Sequence, residues 1–556
     1  MVGSQGEKHV ANEDSGRLFD QRMHSYMRSL REQALSRRGL LKVSGGLAAA
    51  TAMAGVLPFV APGVSVLAQD DDTVTMGLEA DLRGVEPALG YDFTANPVIC
   101  NITEGLMALD ENSAMYPLLA ETFENPDAQT FIYNLRANIP FHDGTIMTVD
   151  DVIASIGRVR AEAIASPMAW MFDPVDTIEK TGDMQLTIKT KVPSATFPYV
   201  LTTTAGHVMP KALIDSTPDL PTQEPIGTGP YKFVKWEAGS EVVLVKNDAY
   251  WQTGKPYFTN AVFKIVPDGT TRVAGLKSGD LTMIRDIPPD QLAVVKGLPD
   301  IAFQEVVGFT SNQIFMVNNK PPFDDIKVRE AVSKAINYDE IMTNLVGDTG
   351  VRSVSTTVPP GMPGSAEPEL SPVPFDLDAA KAALAASSQP NGFKTTLTVD
   401  AESSQRNAEA QAIQQMLSEI GVEIEISKIP GANRITALQT GDYEGMIFHE
   451  WGADFPDANG MLLPLFHSRN FPPQNNGSFY SNPDVDALLD AADADVSDAR
   501  NATLIDAQKK IAADMPIIWL DHFKWFLPMK AGLTGYSIHP LFYWDSFLRD
   551  LKPEGA

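Results

Sequence analysis

The stretch 395–426 limits the fold more than any other part of this chain. Leu397 and Val399 alternate with threonines, the period-two pattern of a half-buried strand. Ile413, Met416, Leu417 and Ile420 follow at the i, i+3, i+4, i+7 positions of one helix face, and Gly421 stands where that helix must stop. Val422, Ile424 and Ile426 then alternate with Glu423 and Glu425, a second strand. Strand, helix and strand within about thirty residues make a βαβ unit, which implies a parallel pair joined by a crossover helix. A second amphipathic helix is expected through Val328, Ala331, Val332, Ala335 and Ile336, capped by Asp324 or Asp325. Strands such as Glu241–Val245 and Phe131–Leu135 follow one another as in a meander, and the Pro- and Gly-rich segment 358–374 reads as a long surface loop. The class is α/β, in at least two lobes.

Length and charge narrow the function. At 556 residues the chain has room for two to four domains. Its net charge of −28 argues against a nucleic-acid backbone or an anionic lipid surface as partner. The one cysteine can form neither an internal disulfide nor a thiolate zinc cage.

The first seventy residues read as an export address. Arg37 and Arg38 precede an apolar, small-residue run from Val43 to Val60, too short and too interrupted by Gly and Pro for a transmembrane helix. Val66-Leu67-Ala68 offers a cleavage site after Ala68. The segment 1–68 resembles a twin-arginine signal peptide, which implies the twin-arginine translocase as a partner during export. With no Cys near the cleavage point, the mature protein is expected in the periplasm without a lipid anchor.

Several blocks in order carry a wider resemblance. They are Glu86-Pro87-Ala88 through Thr103-Glu104-Gly105-Leu106, Tyr116-Pro117-Leu118-Leu119-Ala120-Glu121, Phe141-His142-Asp143-Gly144-Thr145, and Pro225-Ile226-Gly227-Thr228-Gly229-Pro230-Tyr231. Val328-Arg329-Glu330-Ala331, Trp451-Gly452-Ala453-Asp454-Phe455-Pro456-Asp457 and Leu465-Phe466-His467-Ser468 complete the series. Across 73–550 the chain resembles the extracytoplasmic solute-binding proteins of ABC importers, the peptide/nickel/opine family (family 5). The resemblance implies a two-lobed periplasmic-binding-protein-like α/β fold with an interlobe ligand cleft. On that pattern lobe I takes 69–108, 223–305 and a return at 526–556, 109–222 is an inserted subdomain of lobe I, and lobe II spans 306–525. It also implies a monomer that hands a small-molecule solute to a membrane ABC permease, with no catalysis and no cofactor.

In such a family the cleft needs a few charged anchors and aromatic walls. Oligopeptide binders hold the ligand's amino group with the Asp of a Trp-x-Ala-Asp block, and Trp451-Gly452-Ala453-Asp454 keeps that spacing. Asp454 is therefore the expected anchor, with capping of a helix near Pro456 as its alternative role. Trp451 is expected as a wall, and Tyr91 and Phe93 lie in the early loop that the family turns toward ligand from the first lobe. His449 and Glu450, also expected at the ligand, stand where oligopeptide binders carry arginines, which disfavours a carboxylate-terminated peptide and favours a cationic, zwitterionic or small polyol-like solute. Arg406 and Arg434 remain as alternative positive anchors.

The other motifs have structural readings. Gly227-Thr228-Gly229-Pro230 lacks the Lys-Ser/Thr of a phosphate loop and reads as a tight turn into a strand. His142-Asp143-Gly144-Thr145 reads as a turn before a helix capped at Thr148 rather than as a catalytic pair. The histidines at 142, 207, 449, 467, 522 and 539 show no metal-ligand spacing. Two rivals are an exported hydrolase using Glu450, Asp454 and Asp457, and a ligand-loaded sensory receptor. No nucleophile elbow or dinucleotide fingerprint supports the enzyme.

Overall fold

The computed structural model describes residues 72–91, 94–218, 223–497, 499–541 and 547–556. The export segment with Arg37, Arg38 and Ala68 lies outside the described residues, as do Asp92 and Phe93.

The βαβ unit forms as its periodicity requires. Phe393–Asp400 runs parallel to Val422–Ile429, with Leu397 beside Ile426. The crossover helix Ser404–Ser418 starts from Ser403, whose hydroxyl accepts the Arg406 amide, and the chain leaves it through Gly421 at φ +82°. Only a residue without a Cβ adopts that conformation cheaply. The helix Ile326–Lys334 is capped by Asp325, which accepts the Lys327 amide at 2.8 Å.

These elements belong to one eleven-stranded mixed sheet. At its centre two long strands, Ile301–Met316 and Ile517–Lys530, run antiparallel. On one side follow Met446–Gly452, Phe393–Asp400 and Val422–Ile429; on the other follow Met283–Ile284, Thr73–Leu78, Asn260–Ile265, Glu241–Lys246 and Tyr231–Glu237, and the short Gly350–Arg352 pairs with Ile517–Lys530 off this path. The two central strands thus carry the chain between the halves, and their register breaks between Val307 and Ser311 and again between Asn312 and Gln313. Such irregularities bend a strand and increase its twist. A separate four-stranded antiparallel sheet is built from Ala120–Asp127, Thr130–Leu135, Val175–Gly182 and Gln185–Thr190.

Each half has its own apolar interior. Val74, Met76, Leu244, Phe263, Leu527 and Leu551 pack together on the side of the first strand. A larger core joins Phe131, Tyr133 and Phe197 of the four-stranded region to Phe315, Phe448, Leu465 and Ile518. Burying each such side chain contributes about 1.5–3 kcal/mol.

The turn Gly227-Thr228-Gly229-Pro230 forms as expected before the strand Tyr231–Glu237. Neither glycine adopts a left-handed φ. A Cβ on Gly227 would sit 2.2 Å from the Ile102 carbonyl oxygen, and one on Gly229 would sit 2.6 Å from the Ile102 carbonyl carbon. Close approach, not backbone freedom, selects glycine here. The approach delivers the Thr228 hydroxyl to buried Glu104 at 2.8 Å, where Tyr250 (2.6 Å) and Trp251 (2.9 Å) also donate. Burial pushes the Glu104 carboxyl up, and Arg549 at 3.6 Å pulls it back. His142 braces the same turn: its Nε2 meets the Gly229 carbonyl at 3.0 Å. Burial lowers its pKa to about 4, so it stands neutral. Asp151 accepts the Thr148 amide at 2.8 Å, closing the expected cap.

The segment 358–374 is a loop as expected, exposed along much of 367–374 but tucked inward over its first half. Val358, Met362 and Ala366 are buried, because Gln508 of the helix Arg500–Asp514 donates to the Gly364 carbonyl at 2.7 Å and accepts the Ala366 amide at 3.1 Å. One buried amide side chain satisfies loop backbone that would otherwise need water.

Candidate functional site

The strand Met446–Gly452 sets the site. It pairs with Ile301–Met316 so that Trp451 faces Ser311, Glu450 faces Asn312 and His449 faces Gln313. Successive side chains of a strand point to opposite faces. His449 and Trp451 therefore share one face, their rings 5.8 Å apart and 17° from parallel, while Glu450 occupies the other. Beyond the strand the Ala453 amide bonds to the Phe309 carbonyl at 2.8 Å, holding the next residue, Asp454, beside the central crossing.

Asp454 is half-buried, and its Oδ1 accepts a hydrogen bond from the hydroxyl of buried Tyr91. Two segments 363 residues apart meet at this carboxylate. The neighbouring Phe455 ring stacks on Tyr199 at 6.3 Å. The Ala195 amide nearby bonds to the Asp493 carbonyl at 3.0 Å. The helix Asn459–Phe466 has no side-chain cap at its N-cap residue, and it is Asp457 that accepts the Asn459 amide at 2.8 Å. Asp457 is itself clasped by Arg500, with Nη2 at 2.9 Å. Capping is thus served by Asp457, not Asp454.

His449 and Glu450 depart from the ligand-contact expectation. His449 is 5% exposed, stacks on Phe315 at 4.1 Å and exchanges a hydrogen bond with Gln313 at 3.0 Å. Glu450 pairs with Arg406 on the opposite face. Arg406 also holds Asp400, which in turn pairs with Arg434, so neither arginine stands as an anchor in the cleft. Burial works against the Arg406 charge, yet Glu450 and Asp400 beside it hold its pKa above the usual range. Burial likewise raises the Asp400 carboxyl, and Arg434 and Arg406 outweigh it, leaving it below the usual range. The strand's alternation explains the placement: the arginines lie under the sheet, on the crossover-helix side.

Of the residues expected at the site, the structure brings Tyr91, Asp454 and Trp451 to one neighbourhood, places His449 behind Trp451, and turns Glu450 away. Phe455, which lies in the Trp451–Asp457 block, joins the neighbourhood, as do Tyr199, Ser311 and His522, which no motif marks in sequence. An open pocket lined by Lys320, Phe323, Lys394, Glu423 and Glu444 lies at the other end of these strands and shares no residue with the cluster. Among the described residues no group of three His, Cys, Asp or Glu side chains could hold a metal ion, and no helix is long and apolar enough to cross a membrane.

A half-buried carboxylate held between two halves of a crossing-strand α/β fold is a geometry for capture. The model of bacterial extracellular solute-binding proteins, family 5 (middle region), matches residues 114–473. The chain belongs to this family. The glutathione-binding protein GsiB of Pectobacterium atrosepticum is 27% identical over 484 residues, covering 85% of this chain and 93% of that one. HbpA2 from Haemophilus parasuis superposes with a TM-score of 0.80 at 24% identity, over 87% of this chain and 100% of that chain. The periplasmic protein DppA from Helicobacter pylori, in complex with the peptide STSA, gives 0.69 at 24% identity over 87% of this chain and 98% of that one. The family 5 fold is two-lobed, and this chain is a solute-binding component that works with an ABC permease. Closure of two lobes on a small solute requires contacts that only the closed, loaded form makes.

Proposed function

We propose that this protein is the periplasmic solute receptor of an ABC importer and that it binds a small peptide-like or amino-acid-like solute by its amino group. The observation that carries this is the Asp454 carboxylate, half-buried and reached by Tyr91 from the other end of the chain. A carboxylate in a half-buried setting makes stronger, charge-assisted contacts with an ammonium than it would in open water. Trp451 and the Tyr199–Phe455 stack supply apolar walls around it. Relatives named for glutathione, or solved with a peptide, support a solute of this size.

Lobe I is assigned to 69–108, 223–305 and 526–556, its inserted subdomain to 109–222 and lobe II to 306–525. The parting of the two central strands around Val307–Ser311 supports this division, with the hinge there. The segment 1–68 directs export through the twin-arginine translocase, leaving a monomer in the periplasm with no lipid anchor. The protein performs no chemistry on its solute; Glu450 and Asp457, which a glycosidase would need, are committed to Arg406 and Arg500.

Natively exported protein, gently purified and then denatured, is expected to release one equivalent of an unaltered amine-bearing solute, read by mass spectrometry. Recovery of a converted product, or of a solute without a cationic group, contradicts the proposal.

A further inference from the structure

Three strands set two rows of side chains on the face that carries Trp451. In the row deeper in the second half, His449 bonds to Gln313, and the Thr357 hydroxyl donates to the Gln313 Oε1 at 2.7 Å. In the row next to the crossing, Trp451 lies opposite Ser311 and Ser311 opposite His522. Here the pairing fails. Trp451 Nε1, Ser311 Oγ and both ring nitrogens of His522 are buried without a well-formed hydrogen bond, the Thr310 backbone being the one polar group that approaches the His522 ring. Ser311 is 0% and His522 1% exposed.

Buried polar atoms are almost always paired, because each unpaired one costs about 1–3 kcal/mol. Several in one row, three residues from the anchor carboxylate, mark a surface built for something it meets only part of the time. Its chemistry is uncharged. Burial lowers the His522 pKa to about 3, so the ring is neutral and offers one donor and one acceptor. The indole offers a donor, and the serine hydroxyl offers both. A group that presents a carbonyl oxygen and an N–H together satisfies such a row; a second ammonium would face mostly donors.

We propose that Trp451, Ser311 and His522 form an uncharged floor of the solute site that hydrogen-bonds an amide group of the solute. The inference rests on the reading of Asp454 as the anchor for the solute's amino end, and it adds the group read next to that end.

The test uses alanyl-alanine and its ester-linked analogue, which differ in one N–H. Both are titrated calorimetrically into stripped full-length mature protein, as wild type, Ser311→Ala, His522→Leu and Asp454→Asn. The wild type is expected to prefer the amide by roughly ten-fold, and Ser311→Ala and His522→Leu to bring the ratio close to one. Asp454→Asn should weaken both probes together and keep their ratio, which separates the floor from the anchor. Without ligand, Ser311→Ala should melt no lower than wild type, because it deletes an unpaired hydroxyl. A lower Tm for Ser311→Ala would assign that hydroxyl a structural partner and overturn the floor. So would an unchanged ratio in the variants, or a wild type that binds neither probe.

Discussion

The Tyr91 hydroxyl donates to Asp454 Oδ1 across 363 residues of chain. A carboxylate that accepts a fixed hydrogen bond is held in orientation, which sets the direction from which an ammonium meets it. Tyr91→Phe keeps the ring and removes the hydroxyl that donates to Asp454. Affinity for an amine-bearing solute is expected to fall by about five-fold, the worth of one hydrogen bond of ~1 kcal/mol. Titration calorimetry reads the change; unchanged affinity would remove Tyr91 from the positioning of Asp454.

The buried charges under the strand make a separate prediction. Arg406 has a side chain only 6% exposed and stands between Asp400 and Glu450. Removing one member of a buried ion pair leaves its partner uncompensated and costs ~3–5 kcal/mol. Arg406→Met is therefore expected to lower stability in denaturant by that order. A loss below about 1 kcal/mol would show that the group is hydrated and free to rearrange.

Asp521 makes stability depend on pH. Burial, then the Glu409 charge beside it, pushes its carboxyl up to about 7, against an unfolded value of 3.8. The folded state therefore holds a proton that the unfolded chain releases. This contribution is fully present below about pH 4 and is lost as pH rises through about 7. Asp521→Asn should flatten the Tm profile across that window and melt higher than wild type at pH 8. Parallel profiles for the two proteins would contradict the protonated state.

The turn at Gly227 and Gly229 is tested by adding one carbon. A Cβ on Gly229 would meet backbone atoms of Asn101 and Ile102 at 2.6–2.7 Å, and backbone cannot swing aside as a flexible side chain can. Gly229→Ala is expected to cost ~1–3 kcal/mol and to loosen the Thr228–Glu104 contact. Equal stability would mean that the turn is not held against that backbone.

Periodicity was enough to show the βαβ unit, because alternation and the helical repeat are local signals and Gly421 ends the helix by its own geometry. The caps at Thr148 and Asp325 were legible for the same reason. Family resemblance set the Tyr91 loop toward the ligand opposite Asp454, but the direct hydrogen bond between them was not legible, since no local pattern joins residues so distant. The pairing of Glu450 with Arg406 was not legible because a strand's alternation reveals which residues share a face but not what packs against that face. That depends on the crossover helix bringing Arg406 under the sheet. Gln508 escaped notice because a single glutamine on a helix has no signature until the loop it satisfies is folded over it. Ser311 and His522 escaped for a like reason: strand register alone brings them together.

The affinity of the stripped protein and its Asp454→Asn variant for the solute released from the native protein tests the central claim most directly. Losing the charge while keeping the shape should weaken binding by about a hundred-fold, as breaking a buried charged contact requires, with an unchanged melting temperature in the absence of solute. Equal affinity for the two proteins would mean that the solute is gripped elsewhere.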